Sequence, residues 1–140
     1  MYQIVLDTNV LVAAMRSKRG ASYKLLALLG DDRWRPNVTV AVVLEYEAVL
    51  KRDCHEFGLT EADIDDLIDA VCSEAGLHRL YFLWRPVASD PDDDLILEAA
   101  IASNSDFIIT FNTRDFLEGL KFGIRCLTPK EFLILLKDLP

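Results

Sequence analysis

Acidic side chains are the residues of this sequence whose types and spacing could support a chemical reaction. Four aspartates occupy residues 90–94, directly before the apolar run LILEAA. Capping and the helix dipole account for one or two carboxylates at the start of a helix. Four carboxylates exceed that need, so we expect at least one of them to have a chemical role.

Helical phase distinguishes between these aspartates. Asp90 is predicted as the N-cap, with Pro91 at the first helical position. The inward face of the helix is predicted at positions Ile96, Leu97, Ala100 and Asn104. Asp93 precedes the first three of these by three, four and seven residues, so it continues the inward face past the helix end. We therefore predict that Asp93 is the site residue and that Asp94 has a supporting role.

A calcium-binding loop would use the same acidic cluster differently, with Asp90, Asp92 and Asp94 as ligands at alternate positions. Such a loop needs a turn glycine where this chain has Leu95, and a bidentate glutamate where it has Ile101. The sequence therefore excludes a calcium loop of this type.

Two further acids follow short apolar runs that are typical of buried strands. Asp7 follows IVL, and Asp115 follows FIIT together with Asn112. Each of the two acids could equally well cap the next helix, so position alone leaves both interpretations open.

Glu45 lies in a run that is otherwise apolar on its helical face. Its neighbours three and four residues away are Ala41, Val42, Ala48 and Val49. Burying a carboxylate in such a stripe costs free energy unless another group pairs with it. We therefore favour a site role for Glu45 over a solvated surface acid. Glu47, in contrast, has Lys51 four residues later and is predicted to form a surface pair.

The elements that position these acids alternate between strands and helices. Strands are predicted at 4–6, 34–38, 78–84, 107–110 and 124–127. Helices are predicted at 10–15, 23–29 (closed by Gly30), 39–51, 60–76 (ended by Gly76) and 91–103, with a short helix from Asn112 and a last one that starts at Pro129. Short, continuously apolar strands in this order indicate a parallel sheet covered by helices on both faces. In such sheets the ligand site lies at the carboxyl ends of the strands, where Asp7 and Asp115 are expected.

Composition limits the possible classes of protein. The chain has 140 residues with 51% hydrophobic content, which suits one domain spanning 1–140. It shows neither an apolar run long enough for a membrane span nor a basic signal peptide, so we expect a cytoplasmic protein. The three cysteines are odd in number and form no CxxC pair, and are therefore predicted to be free thiols.

The net charge of the chain limits the kinds of molecule that it can bind. Fifteen basic and 23 acidic residues give −8, which argues against nucleic acid unless metal ions neutralise the acids. Clustered carboxylates without a soft ligand suit Mg²⁺ or Mn²⁺. Such ions can activate water and stabilise an in-line displacement at phosphorus.

Four segments together resemble the PIN domain family, and the similarity is greatest to its VapC-like toxins. They are LDTNVL at 6–11, VVLEYEAVL at 42–50, DPDDDLILEAAIAS at 90–103 and IITFNTRDF at 108–116. The resemblance implies a three-layer α/β/α sandwich with a mainly parallel sheet of about five strands. It also implies a ribonuclease that uses Mg²⁺ or Mn²⁺ and has an antitoxin protein as its partner. Such toxins commonly form homodimers.

The resemblance also implies roles for individual residues. Asp7, Glu45 and Asp93 would be the metal-binding catalytic acids. Some family members have a fourth acid at the position of Asn112, and others have it at the position of Asp115. Thr8, Asn9 and Thr110 would orient these acids through hydrogen bonds.

The sequence leaves three questions of interpretation open. Arg16, Lys18 and Arg19 could bind RNA phosphates, or could form a solvated turn. The apolar positions Tyr23, Leu26 and Leu29 could form a dimer contact, or belong to the core. The chain could also be an inactive scaffold of the same family that binds RNA or a protein. A phosphohydrolase of the haloacid-dehalogenase type is disfavoured, because Asn9 stands where that chemistry needs a second aspartate.

Overall fold

A computed structural model describes residues 1–78 and 91–137, without the side chains of residues 78, 91–94, 117–119 and 121. The strands are β1 (Tyr2–Leu6), β2 (Trp34–Thr39), β3 (Gly76–His78), β4 (Phe107–Ile109) and β5 (Arg125–Leu127). The helices are α1 (Thr8–Arg16), α2 (Ala21–Leu26), α3 (Val40–Asp53), α4 (Glu61–Glu74), α5 (Pro91–Ala102) and α6 (Pro129–Leu135). Two 3-10 segments, Cys54–Phe57 and Thr113–Phe122, complete these elements, and the second is kinked at Phe116.

The strands form one parallel sheet in the order β3-β2-β1-β4-β5. The second half of central strand β1 is apolar and covered, since Ile4, Val5 and Leu6 are at most 1% exposed, whereas Tyr2 at its start is exposed. A parallel sheet needs helices on both faces, which explains why its strands are continuously apolar. The predicted three-layer α/β/α sandwich is confirmed.

The chain reverses its direction across the sheet between β1 and β4. From β1 it proceeds outward to β2 and β3, and it then returns to β4 and β5 on the other side. Leu6 pairs with Ile109, so the carboxyl ends of β1 and β4 lie side by side. Such a switch point leaves a crevice where parallel α/β sheets usually bind ligands.

Three helix starts follow the predicted capping chemistry. The Thr39 side chain accepts a hydrogen bond from the Val42 amide at 3.2 Å. Capping boxes start α4 and α6, through Thr60 and Asp63 and through Thr128 and Glu131. Pro129 occupies the first turn of α6, where its missing amide hydrogen costs nothing.

Several predicted boundaries were wrong. Gly76 begins β3 and does not close α4, which ends at Glu74. The third strand thus starts two residues before the predicted position, and residues 79–84 of the prediction lie outside the described residues. Helix α2 ends at Leu26, although Gly30 does adopt the left-handed conformation, with φ of 92°. Asn104 is exposed with φ of 52°, so it ends the helical run and does not extend the inward face.

Helix α5 lies against β1, β2 and β4 and also contacts α3 and the second 3-10 segment. Residues 103–106 connect its end directly to the start of β4. The start of α5 therefore points toward the edge formed by the carboxyl ends of the strands. Within the described part of the chain, no helix has the length and apolar character needed to cross a membrane.

Candidate active site

Asp7 lies at the carboxyl end of β1 and is only 7% exposed. Its backbone occupies the N-cap position of α1, but its side chain makes no capping hydrogen bond. Its Oδ2 instead accepts a hydrogen bond from the Thr110 hydroxyl at 2.7 Å, and its amide donates to the Ile109 carbonyl at 2.9 Å. Both bonds tie Asp7 to the end of β4, so the carboxylate is held across the switch point.

Thr110 is the centre of the hydrogen-bond network that holds this carboxylate. The Thr110 side chain is fully buried, and its hydroxyl accepts from the Asn112 amide at 3.0 Å and from Asn9 Nδ2 at 3.5 Å. The Asn9 Oδ1 accepts from the Phe111 amide at 3.5 Å. Because the Thr110 oxygen accepts from these amides, its own proton is directed at Asp7. The network thus fixes both the position and the hydrogen bonding of Asp7.

A cleft with a volume of about 400 Å³ opens at this place. Its lining residues are Asp7, Thr8, Asn9, Val12, Arg16, Glu45, Val49, Arg52, Asp53, Asn112 and Asp115. The lining brings together residues from α1, α3 and the loop after β4. Three of the predicted acids, Asp7, Glu45 and Asp115, therefore border the same cleft.

Helix α3 supplies the side of the cleft that faces away from β4. Glu45 is half-buried, and Val49 and Arg52 follow it at the spacing that keeps side chains on one helical face. The fully buried Tyr46 hydroxyl donates a hydrogen bond to the Leu6 carbonyl, one residue before Asp7. This bond connects α3 to the end of β1. Because Glu45 precedes Tyr46 and Asp7 follows Leu6, the bond helps to hold the two acids in place relative to each other.

Two arginines contribute positive charge to this acidic cleft. Arg52 pairs with Asp53 through two bonds of 3.2 Å, and Arg16 lies 4.0 Å from Glu56 and 5.9 Å from the centre of the Phe57 ring. The pKa of Arg52 is raised, first by Asp53 and to a smaller extent by Glu45. Both guanidinium groups are mainly exposed, with 61% of the Arg16 and 68% of the Arg52 side chain accessible, so solvent competes with these pairings.

Burial raises the pKa of Asp7 above its ordinary value of 3.8, and the negative charge of Asp115 adds to the increase. The Thr110 hydroxyl and the amides of Thr8 and Asn9 oppose it. Burial also raises the pKa of Tyr46, with the charge of Asp7 as the second cause. Tyr46 is therefore a neutral hydrogen-bond donor at physiological pH. The cleft concentrates negative charge that a cation would relieve.

The donor atoms of the cleft suit a hard cation. They are carboxylate, amide and hydroxyl oxygens, with no sulfur or imidazole ligand among the residues that line it. Among the described side chains, no three acidic, histidine or cysteine groups are close enough to form a complete metal site. Mg²⁺ often binds proteins through one or two carboxylates, together with water and substrate phosphates. Asp7 and its neighbours fit that pattern as a partial ligand set.

The remaining predicted site residues are the aspartates near the start of α5 and the basic residues near the end of α1. Asp93 and Asp94 belong to the first turn of α5, but their side chains lie outside the described residues, as does Asp90. Lys18 and Arg19 are exposed and do not line the cleft, whereas Arg16 does.

Two charged residues of the cleft, Arg52 and Asp53, were not predicted from the sequence. Arg52 stands seven residues after Glu45, so the same helical phase that singled out Glu45 could have identified it. Asp53 carries no comparable signal, because it closes α3 and reaches the cleft through its pairing with Arg52.

The chain is similar to known proteins in both sequence and structure. The family model of the PIN domain matches residues 3–114. A comparison with curated proteins finds no match. The structure is similar to that of VapBC2 from Rickettsia felis bound to a DNA fragment from its promoter, with a TM-score of 0.63 and 17% identity, covering 89% of this chain and 98% of that chain. It is also similar to VapBC-1 from nontypeable Haemophilus influenzae, with a TM-score of 0.57 and 16% identity, covering 91% and 98%. At these identities the two structures show a common fold.

Proposed function

The chain belongs to the PIN domain family, whose members are generally nucleases, and from this premise we propose that it is a metal-dependent endoribonuclease. The observation that carries the proposal is the buried carboxylate of Asp7. Thr110 holds it at the switch point of the sheet, and it borders a cleft with Glu45 and Asp115. A buried carboxylate with a raised pKa in a polar cleft is typical of a functional site.

In this proposal Asp7, Glu45 and Asp93 hold Mg²⁺ or Mn²⁺, and Asp115 or Asn112 provides a further oxygen. The bound ion would supply an activated water and charge stabilisation for hydrolysis of a phosphodiester bond. The assignment of Asp93 rests on the resemblance and on α5, whose start points toward the carboxyl ends of the strands.

The hydrogen bonds around Asp7 have a specific role in this proposal. The Thr110 hydroxyl, held by Asn9 and by the Asn112 amide, donates to one carboxylate oxygen of Asp7. Because this hydrogen bond occupies one lone pair of Oδ2, Oδ1 would be the more available oxygen for a cation. The donated bond also favours the ionised form of Asp7, which a metal ligand requires.

Arg16 and Arg52 are proposed to bind phosphates of the RNA. An acidic protein of net charge −8 repels a polyanion unless cations lie along its path. Both guanidinium groups line the cleft and are paired with exposed or partly exposed carboxylates, which a phosphate can replace. Lys18 and Arg19 follow Arg16 outside the cleft and are proposed to contact the strand beyond it.

The structural similarity to VapBC complexes supports a role as the toxin of a toxin–antitoxin pair. We propose a cognate antitoxin protein as partner, a cytoplasmic location and a homodimer. Of the residues predicted for the dimer contact, Tyr23 is exposed and Leu29 is half-buried, but Leu26 is only 8% exposed and packs in the core. The dimer surface, if α2 forms it, is therefore limited to Tyr23 and its exposed neighbours.

Cleavage of a panel of RNAs by purified protein tests this function. The protein is first treated with EDTA and is then assayed alone, with Mg²⁺ and with Mn²⁺. We expect internal cleavage of RNA that requires one of the two ions. RNA binding without cleavage under every metal condition would support an inactive scaffold and contradict the proposal.

A further inference from the structure

A second cavity lies beside the cleft, and cationic side chains contribute to its wall. Its volume is about 220 Å³, and its lining residues are Thr113, Arg114, Phe116, Leu120, Arg125 and Cys126. Of the side chains that the structure describes, no carboxylate lines it. We call it the arginine pocket.

The arginines of this pocket differ from those of the cleft in their pairing. Arg114 and Arg125 are both exposed, and among residues 1–78 and 91–137 neither forms an ion pair with a described carboxylate. Arg16 and Arg52, in contrast, each lie beside a carboxylate. Two guanidinium groups that share a cavity repel each other, and an anion bound between them would remove that repulsion. The Thr113 hydroxyl adds a further hydrogen-bond donor for such an anion.

The arginine pocket and the cleft lie on two sides of one short segment, residues 112–116. Asn112 and Asp115 line the cleft, whereas Thr113, Arg114 and Phe116 line the arginine pocket. Successive Cα atoms are about 3.8 Å apart, so the two cavities lie within a few residue lengths of each other. The charge of Asp7 also reaches Cys126, where it is the second cause, after burial, of a pKa raised to about 11.

The wall of the arginine pocket is partly apolar. Its accessible apolar surface comes from Leu120, which is 59% exposed, because the Phe116 side chain is fully buried beneath the wall. A free inorganic anion needs only cations and hydrogen-bond donors. A nucleotide also presents a ribose and a flat base, which apolar side chains can cover. This combination of guanidinium groups with apolar surface therefore favours a nucleotide over a simple anion.

Positive charge thus lies on both sides of the acids. Arg16 ends α1 and Arg52 belongs to α3, which follows β2, whereas Arg125 lies in edge strand β5, beyond β4. We propose that the arginine pocket binds a nucleotide adjacent to the one cleaved, so that single-stranded RNA crosses segment 112–116 from the cleft. This inference rests on the proposed function and extends it. The substrate is then a strand that extends beyond the scissile phosphate, and Arg114 and Arg125 bind the nucleotide in that extension.

Binding of a fluorescein-labelled oligouridylate, measured by fluorescence anisotropy over a salt series, tests the proposal. The measurements use Asp7→Asn protein in EDTA, so cleavage does not interfere. The test variant carries Arg114→Ala and Arg125→Ala in that background. The control carries Lys24→Ala and Arg35→Ala, which remove the same charge from exposed residues of α2 and β2 that line neither cavity.

We expect the test variant to bind at least about tenfold more weakly than the control at low salt. The slope of log affinity against log salt should also fall by about 0.7 for each phosphate contact removed. Uridine monophosphate has no adjacent nucleotide and cannot occupy the cleft and the arginine pocket together, so the difference between the two variants should be much smaller with it.

Equal affinity and equal salt slope for the test and control variants would overturn the inference. An equally large loss with uridine monophosphate would also overturn it, because the pocket would then hold a free small anion and not the continuation of a strand. Neither result depends on catalysis. Failure of the proposed function would instead appear as the absence of metal-dependent RNA cleavage by the wild-type protein.

Discussion

At the scale of single residues, the account depends on Asp7, a carboxylate that is buried without a cationic partner among the described residues. The sequence left open whether Asp7 caps α1 or belongs to a site, because a strand followed by Asp-Thr-Asn fits both. The structure favours the second interpretation, since the side chain accepts a hydrogen bond from Thr110 and makes no capping hydrogen bond of ordinary geometry, although the Thr8 and Asn9 amides also lower its pKa. Thr110 is 103 positions away along the chain, so pattern alone could not predict this bond.

The first prediction concerns stability without metal. Asp7→Asn keeps an acceptor oxygen for the Thr110 hydroxyl and removes the buried charge, so we expect the metal-free variant to melt at a higher temperature than wild type at neutral pH. Because burial raises the pKa of Asp7 above 3.8, the folded state binds this proton more tightly than the unfolded state. This group therefore lowers wild-type stability as pH rises from 3.8 through the raised pKa.

The advantage of Asp7→Asn should consequently disappear as pH falls below the ordinary pKa of 3.8. Melting curves in EDTA at a series of pH values measure it, with Asp66→Asn, on the exposed face of α4, as the control. A variant that is less stable than wild type at neutral pH would contradict the electrostatic account of the site.

At the scale of elements, the sequence predicted the order of strands and helices and the capping of α3, α4 and α6, because these depend on local chemistry. It misplaced the junction at Gly76, because glycine serves both as a helix terminator and as the first residue of a strand. The phase of α5 was also less decisive than expected. Residues 96–100 are all at most 1% exposed, so the helix is buried on nearly every side in this stretch. Burial therefore does not separate Asp93 from Asp94.

The second prediction concerns which aspartate in the first turn of α5 binds the metal ion. If Asp93 is the metal ligand, Asp93→Asn should weaken Mn²⁺ binding much more than Asp92→Asn, with a smaller effect for Asp94→Asn. Calorimetric titration with Mn²⁺ on all three variants gives the order directly. An effect of Asp94→Asn equal to or larger than that of Asp93→Asn would assign the ligand to Asp94 and contradict the phase argument.

The third prediction concerns the contact between α3 and β1. Tyr46→Phe removes the hydroxyl that donates to the Leu6 carbonyl in a fully buried place. Loss of such a bond should lower the free energy of unfolding by about 1–3 kcal/mol. Tyr23→Phe, on an exposed tyrosine, should change it by less than about 0.5 kcal/mol. Equal midpoints of denaturant unfolding for the two variants would show that the Tyr46 bond does not hold α3 in place.

At the scale of the whole molecule, net charge and function have to be reconciled. A charge of −8 argued against a nucleic-acid partner, yet the fold gathers four arginines around an acidic cleft and the neighbouring arginine pocket. Composition counts charges without their positions, so it could not anticipate this arrangement. The topology of the sheet contributes to it, because the reversal between β1 and β4 brings α1, α3 and the segment after β4 to one edge, and Arg125 begins the neighbouring strand β5.

Single-turnover cleavage of RNA in Mn²⁺ by wild type, Asp7→Asn and Asp66→Asn, with the melting temperatures of the same proteins measured in EDTA, tests the central claim most directly. We expect Asp66→Asn to cleave at the wild-type rate. Asp7→Asn should be slower by a factor on the order of a thousand, the scale on which loss of a positioned catalytic group acts, while its melting temperature in EDTA stays at or above that of wild type. Cleavage by Asp7→Asn at the wild-type rate would contradict the account, because the activity would then not depend on the carboxylate at the switch point.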